Sequence, residues 1–167
     1  RILWVMPFIG RGGAERVTLD LTRELAEVFD ITLLLFRPVE DYQMEVDPRI
    51  HIEVLLSQPA RLRSHLPKVL TLMSRMVREA DLVVAGLELE TTYLSVAAAR
   101  VAKRPCIAVS HIPLLKWIEI SNYGLLHKLF SRISYRLVTK VVPVSRAVGN
   151  HLHSQFGVPE DRIRVIY

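Results

Sequence analysis

The sequence contains a single cysteine, Cys106, which lies within a short apolar run. One cysteine cannot form an internal disulfide, so a small fold held together by disulfide bonds is excluded. Such sparse use of cysteine is typical of proteins from reducing compartments. We therefore expect a cytoplasmic location.

Long apolar runs are also missing. Charged residues interrupt every apolar stretch, and none approaches the roughly 18 to 20 residues of a membrane-spanning helix. No signal-peptide pattern is present, and we expect a few residues to precede Arg1, which is not a native start. Half of the 167 residues are nonetheless apolar. This composition excludes a disordered chain and suits one domain with a sizeable core.

Aromatic residues make up only 7% of the sequence. Proteins that bind single-stranded nucleic acid stack the bases on aromatic side chains beside a positive groove. Here the positive residues are spread over separate predicted helices, with no interleaved aromatic platform and no known nucleic-acid module. We therefore expect no nucleic-acid partner, despite a net charge of +5.

The six histidines do not form a metal-ligand pattern. His151 and His153 lie two residues apart on a predicted helix, so their side chains point in different directions. We expect no metal in this domain.

Segments rich in β-forming residues alternate with helical ones along the chain. This alternation predicts an α/β fold, with a Rossmann-like, doubly wound, mainly parallel sheet of about seven strands and helices on both faces. The predicted strands lie at 2–6, 30–36, 51–55, 82–85, 107–109, 141–144 and 163–166. After a first helix that begins near Ala14, the predicted helices lie at 66–79, 90–102, 125–139 and 145–156. The polar segment 38–48 predicts a loop.

In the first helix, apolar residues at helical spacing predict the face that packs on the sheet. They are Ala14, Val17, Leu21, Leu25 and Val28.

A glycine-rich loop follows the first predicted strand. Gly10, Arg11, Gly12 and Gly13 stand where a glycine turn lets backbone N–H groups and a helix N-terminus approach a phosphate. Arg11 adds positive charge. The first two glycines begin the dinucleotide fingerprint GxGxxG, but Glu15 occupies its sixth position, which disfavours a nicotinamide cofactor. A tight turn without a ligand is the structural alternative.

Polar side chains follow other predicted strands. His111 comes directly after strand 107–109 and projects into the same crevice, where it can donate or accept a hydrogen bond near neutral pH. Glu88 and Thr92 follow the fourth strand and are candidate ligands, although capping of the next helix explains them as well. Ser145 either caps the last helix or presents its hydroxyl to the crevice.

Two predicted helices carry basic stripes. On the helix at 125–139 the stripe repeats every four residues, and it consists of Lys128, Arg132, Arg136 and Lys140. The opposing apolar side consists of Leu126, Leu129, Phe130, Ile133 and Leu137. A second stripe consists of Arg61, Lys68, Arg75 and Arg78. These stripes suggest an anionic membrane surface as a partner, and a solvated basic face is the alternative.

Three motifs occur in the same order as in one known family. They are GGAERV at 12–17, His111 after the fifth strand, and VSRAVGNHLHSQFGVPEDRIRVIY at 144–167. Together they cover nearly the whole chain and resemble the N-terminal domain of family 4 glycosyltransferases, which are retaining enzymes of the two-domain GT-B fold.

The resemblance implies that residues 1–167 form the acceptor-side domain, and that a C-terminal donor-binding domain is absent from this chain. The reaction implied is transfer of a hexosyl-type sugar from a nucleotide-diphosphate sugar to a hydroxyl of a carbohydrate or lipid-linked acceptor, with retention. Gly12 and Gly13 would approach the donor phosphate or the acceptor, and His111 would contact the transferred sugar as the catalytic residue. No cofactor is implied, because the nucleotide sugar is a substrate.

Two consequences follow from this resemblance. The 167-residue chain alone is expected to be inactive, and the whole enzyme is expected in the cytoplasm or at the cytoplasmic face of a membrane. The alternative is a stand-alone Rossmann-type module that binds a phosphorylated or nucleotide ligand without catalysis.

Overall fold

The computed structural model describes residues 1–38, 45–56, 65–120 and 124–166. Within them, six strands form one sheet in the order β3-β2-β1-β4-β5-β6, and every neighbouring pair is parallel. The strands are β1 (Ile2–Met6), β2 (Ile31–Leu35), β3 (His51–Val54), β4 (Leu82–Ala85), β5 (Cys106–Ser110) and β6 (Lys140–Pro143). This order is that of a doubly wound, Rossmann-like sheet, as predicted.

The strand count is one lower than expected. In place of the predicted strand at 163–166, the chain makes only an isolated parallel bridge between Val141 and Ile163. The Arg164 amide donates to the Val141 carbonyl at 2.9 Å, and the Ile166 amide donates to the Pro143 carbonyl at 3.3 Å. This segment therefore runs beside β6 without forming a full strand in the described residues.

Helices connect most of the strands. They are α1 (Gly13–Leu25), α2 (Leu66–Glu79), α3 (Glu90–Ala102), α4 (Leu114–Glu119), α5 (Gly124–Leu137) and α6 (Arg146–Phe156). The sequence did not predict α4, whereas the other helices lie close to their predicted ranges. In the described part of the chain, no helix is both long enough and apolar enough to cross a membrane.

Two buried clusters lie on opposite faces of the sheet, because side chains alternate along a strand. On one face, Trp4 and Leu33 belong to a cluster against which Leu19 and Leu25 of α1 pack. On the other face, the larger cluster joins the strands to α2, α3, α5 and α6. Helices on both faces were predicted, and the structure confirms them.

The predicted inner face of α1 is only partly correct: Leu25 packs against a buried cluster, but other residues of that face do not. The residues buried in this helix are Glu15, Thr18 and Thr22, whereas Val17 and Leu21 are exposed. The threonines can be buried because their hydroxyl groups have partners. Thr22 donates to the Thr18 carbonyl at 2.7 Å, and Thr18 donates to the sulfur of Met6 at 3.6 Å.

The inner face of α5 is also built from small and polar side chains. Ser131, Ser134 and Tyr135 are buried, and the Ser131 hydroxyl lies 2.9 Å from that of Tyr93 on α3. The predicted apolar side of this helix is exposed instead. The helix ends at Leu137.

The basic stripe on α5 is therefore shorter than predicted. Lys140 lies outside the helix, as the first residue of β6, and its amino group donates to the Asp161 carbonyl at 2.8 Å. Arg61 of the second stripe lies outside the described residues, as does part of the predicted loop at 38–48.

Candidate functional site

The carboxyl ends of β1, β4 and β5 lie side by side, because these parallel strands are neighbours in the sheet. β1 and β4 also flank the point where the strand order reverses, which is where doubly wound sheets bind ligands. The glycine loop follows β1, residues 86–89 follow β4, and His111 follows β5. The topology thus brings the predicted site segments to one edge of the sheet.

The glycine loop leads directly into α1. Gly12 precedes the helix with extended backbone (φ −81°, ψ 161°), and Gly13 is its first residue. A side chain at Gly12 would collide with the carboxylate of Glu15, which is 7% exposed. At Gly13 an added Cβ would meet no described atom within 4 Å. A methyl group at position 12 therefore requires the Glu15 carboxylate to move, whereas one at position 13 displaces nothing.

Other residues of the loop differ in exposure. Gly10 is buried, and a Cβ there would lie 2.9 Å from the Phe8 ring. Arg11 is exposed. The guanidinium of Arg37, which follows β2, lies 5.9 Å from the centre of the same Phe8 ring. Sequence reasoning did not assign Arg37 to the site, although its position just after a strand was the available signal.

The ring of His111 is anchored on the neighbouring strand end. Its Nε2 lies 3.1 Å from the Gly86 carbonyl oxygen, which can only accept a hydrogen bond, so Nε2 carries a proton. Nδ1 is then the atom left to contact a ligand, as an acceptor in the neutral ring and as a donor in the charged ring. Gly86 has no room for a side chain, since a Cβ would lie 2.6 Å from the sulfur of Met6.

Glu88 fixes the backbone around His111. One carboxylate oxygen, Oε1, accepts hydrogen bonds from the Ser110 hydroxyl at 3.1 Å, the His111 amide at 2.5 Å and the Ile112 amide at 3.1 Å. Glu88 is buried, and its carboxyl group is held in place by these three donors. The structure therefore fixes the turn that carries His111 through one buried side chain.

The turn after β4 contains one strained residue, Leu89. Its backbone has φ 57° and ψ −126°, a conformation that residues other than glycine rarely adopt. Strained positions of this kind concentrate at functional sites, because the surrounding structure must hold them in place. Here the strained residue directly follows Glu88.

Thr92 and Ser145 make structural hydrogen bonds. Thr92 is fully buried, and its hydroxyl donates to the Leu87 carbonyl at 2.9 Å. The hydroxyl of Ser145 accepts from the Val148 amide at 3.2 Å, which confirms it as the cap of α6. The hydroxyl of Tyr135 is buried near Glu88, and in the described residues it forms no hydrogen bond of standard geometry. Burial, together with the nearby Glu88 carboxylate, raises the pKa of Tyr135.

Other polar features do not belong to this edge of the sheet. A cavity of about 380 Å³ lies along α1, where Arg16 and Arg23 pair with Asp20 at 3.9 and 3.4 Å. Cys106 is buried, and burial raises the pKa of its thiol to about 12, so it is not reactive at neutral pH. Within the described residues, no three His, Cys, Asp or Glu side chains are placed to hold a metal ion.

Three comparisons with known proteins complete this description. The family model for Glycosyltransferase Family 4 matches residues 11–167. Among solved structures, HepE from Anabaena in complex with UDP and glucose matches with a TM-score of 0.75 and 22% identity. That match covers 99% of this chain and 44% of HepE, so the chain spans less than half the length of that protein. A search of curated protein sequences gave no significant match.

The same fold also occurs in other proteins. A UDP-GlcNAc 2-epimerase from Methanocaldococcus jannaschii matches with a TM-score of 0.68 and 11% identity, over 99% of this chain and 45% of that one. A glycosyltransferase from Rickettsia africae matches with a TM-score of 0.59 and 19% identity, over 99% and 42%. These likenesses concern the fold, whereas the family model rests on the sequence and covers nearly all of it. The chain belongs to Glycosyltransferase Family 4.

Proposed function

We propose that this chain is the acceptor-side, N-terminal domain of a retaining glycosyltransferase, completed by a second domain that binds the nucleotide. The observation that carries the proposal is the anchored His111 at the edge where β1, β4 and β5 end, in a chain of this family. That the chain spans 44% of HepE, which was solved with UDP and glucose, supports a two-domain enzyme.

The proposed reaction transfers a hexosyl-type sugar from a nucleotide-diphosphate sugar to an acceptor hydroxyl. The bond between the anomeric carbon and the diphosphate oxygen breaks, and a bond from that carbon to the acceptor oxygen forms on the same face. The nucleoside diphosphate leaves with the electron pair and takes up the proton that the acceptor hydroxyl loses. The family match and the nucleotide-sugar ligands of HepE support this reaction class.

His111 is the proposed catalytic residue. Its Nε2–H is held by the Gly86 carbonyl, so Nδ1 is the atom that contacts a hydroxyl of the transferred sugar. Glu88, through its bonds to the His111 and Ile112 amides, holds the turn so that the ring keeps one orientation. Glu88 thus acts on the reaction through His111.

The glycine loop is the second proposed contact. The open space at Gly13 leaves the first turn of α1 accessible, and backbone N–H groups there suit a phosphate or an acceptor hydroxyl. The exposed Arg11 adds positive charge to this loop. Glu15, whose carboxylate lies against Gly12, already places one negative group at this helix terminus. We therefore favour an approach of the ligand over Gly13.

The proposed enzyme needs no resident cofactor, and we place it in the cytoplasm, peripherally at the membrane face. A stand-alone binding module without catalysis is the competing function. The fold alone does not decide, because a fold can serve several activities.

A screen of the full-length protein against nucleotide sugars, following release of nucleoside diphosphate, tests the proposal. Release that depends on an added acceptor is the expected result. Tight binding of a nucleotide sugar without any turnover, across donors and acceptors, would favour the binding module.

A further inference from the structure

α5 carries apolar and basic side chains next to each other on its outward side. Because Ser131, Ser134 and Tyr135 face the protein interior, residues on the opposite side of the helix point away from it. Leu129 lies at the centre of that side and is 51% exposed. We define the α5 outer face by its six exposed apolar residues, Leu125, Leu126, Leu129, Phe130, Ile133 and Leu137, and its three exposed basic residues, Lys128, Arg132 and Arg136.

The exposed apolar surface continues onto α4. Trp117 and Ile120 are 57% and 79% exposed, and they lie on the segment that joins His111 to α5. α4 and α5 meet closely, since a Cβ at Gly124 would lie 2.6 Å from the Ile118 carbonyl oxygen. A helix between two parallel strands runs antiparallel to them, so α5 begins at the edge of the sheet that carries His111. The apolar surface thus starts beside the candidate site.

All charged residues of the α5 outer face are basic. No acidic residue occurs in α5, so none balances its basic stripe within the helix. The basic stripe on α2 differs, because Arg75 pairs with Glu79 at 3.6 Å. Like charges four residues apart destabilise a helix slightly, so an anionic partner that neutralises them gains that energy.

We propose that the α5 outer face, extended by Trp117 and Ile120, docks the protein on the surface of an anionic lipid membrane. A helix that lies in the interface buries apolar side chains among acyl chains, while neighbouring lysines and arginines contact the headgroup phosphates. A second copy of the chain fits this face less well, because symmetric pairing would bring two basic stripes together without acidic partners. The docking does not require catalysis; its use, to bring a lipid-linked acceptor to His111, rests on the proposed function.

Flotation of the full-length protein with vesicles tests this docking. The vesicles contain equal parts of phosphatidylglycerol and phosphatidylcholine, or phosphatidylcholine alone. We expect binding to the anionic vesicles that weakens as salt is added, and little binding to the neutral ones. Leu129→Glu should weaken the binding roughly tenfold or more, because it places a charge at the centre of the buried face.

A second variant leaves the packing of α5 untouched. Lys128→Gln with Arg132→Gln removes two exposed charges, and we expect binding about 25-fold weaker, at about fivefold per charge. Two controls alter other surfaces. Val101→Glu changes a residue of α3 that is 81% exposed, and Lys68→Gln with Arg78→Gln removes two charges from α2. Both controls should bind like the wild type.

Failure of the wild type to bind either kind of vesicle would overturn the docking, as would unchanged binding by the α5 variants. A dimer in solution that Leu129→Glu dissociates, without vesicle binding, would show that a second copy covers this face. Turnover of nucleotide sugars is measured separately, so loss of docking with intact turnover leaves the proposed function standing.

Discussion

At the scale of single residues, substitutions at Gly12 and Gly13 distinguish an effect on packing from an effect on ligand binding. Gly13→Ala adds a methyl group to open space in the first turn of α1. We expect the free energy of unfolding to stay constant or rise by about 0.5 kcal/mol, since alanine is the better helix residue. Transfer by the full-length enzyme should fall on the order of a hundredfold if a ligand approaches this backbone. Urea denaturation and steady-state kinetics measure the two effects.

The matched control is Gly12→Ala, which must displace the Glu15 carboxylate and should therefore reduce stability as well. Full activity of Gly13→Ala would remove the glycine loop from the proposed site.

Glu88 and Glu90 offer a second comparison within one turn. Glu88→Gln replaces a carboxylate that accepts three hydrogen bonds, and we expect a loss of about 1 to 3 kcal/mol in the free energy of unfolding. We also expect a lower kcat, because an amide is a weaker hydrogen-bond acceptor than a carboxylate and holds the His111 turn less firmly. Glu90→Gln, in the first turn of α3, should change stability by only a few tenths of a kcal/mol and leave kcat unchanged. A kcat of Glu88→Gln equal to that of the wild type would refute a role for Glu88 in positioning His111.

Sequence reasoning found His111 because a residue that directly follows a parallel strand must lie at the binding edge. It could not find the three hydrogen bonds to Glu88, because they join residues 22 to 24 positions apart whose approach depends on the sheet. For the same reason, sequence reasoning could not decide whether the Thr92 hydroxyl binds a ligand or is buried in a hydrogen bond to the Leu87 carbonyl.

At the scale of elements, the contact between α6 and α4 is sensitive to pH. Nε2 of His151 accepts a hydrogen bond from the Leu115 amide at 3.2 Å, which only the unprotonated nitrogen can do. Burial lowers the pKa of His151 below its ordinary value of 6.5. The pKa of His151 is therefore lower in the folded protein than in the unfolded chain. For this reason the hydrogen bond of His151 contributes fully to stability above the unfolded pKa. It is lost as the pH falls through the folded pKa.

We therefore expect the free energy of unfolding to fall as the pH is lowered from about 7.5 to about 5. His151→Gln should reduce that fall, because an amide oxygen can accept the bond without titrating. His65→Gln, at an exposed position before α2, is the control and should leave the fall unchanged. If His151→Gln has the same pH dependence as the wild type, the histidine does not control this contact.

Periodicity located most of the helices but misplaced the inner faces of α1 and α5. In both, the buried side contains small hydroxyl residues, such as Thr22 and Ser131, whose polar groups are satisfied by nearby partners. Large apolar residues such as Val17 and Leu129 remain outside. A hydrophobic pattern assumes that the most apolar side faces inward, so it fails where a helix uses small residues on its inner side.

At the scale of the whole molecule, segments with a local sequence signal were easier to predict than segments without one. The motif at 12–17 and the cap at Ser145 have local signals, whereas α4 is short and carries none. The parallel, doubly wound sheet followed from the alternation of β and α segments, whereas the order of its strands was not predicted.

The proposed division between two domains predicts that the 167-residue chain has no transferase activity alone. The nucleotide is expected to be held mainly by the second domain, and stabilisation of the transition state requires both domains to close on the substrates. The purified chain is assayed beside the full-length enzyme with the same donors and acceptor. Turnover of any nucleotide sugar by the chain alone would contradict the proposed division.

The central claim is that the edge formed by β1, β4 and β5 is half of a glycosyl-transfer site. The most direct test compares kcat/KM of the full-length protein with those of His111→Ala and of His51→Ala, an exposed histidine at the start of β3 and so at the opposite edge of the sheet. We predict turnover by the wild type and by His51→Ala, and a loss of about a hundredfold or more in His111→Ala. Equal turnover by His111→Ala and the wild type would contradict the claim.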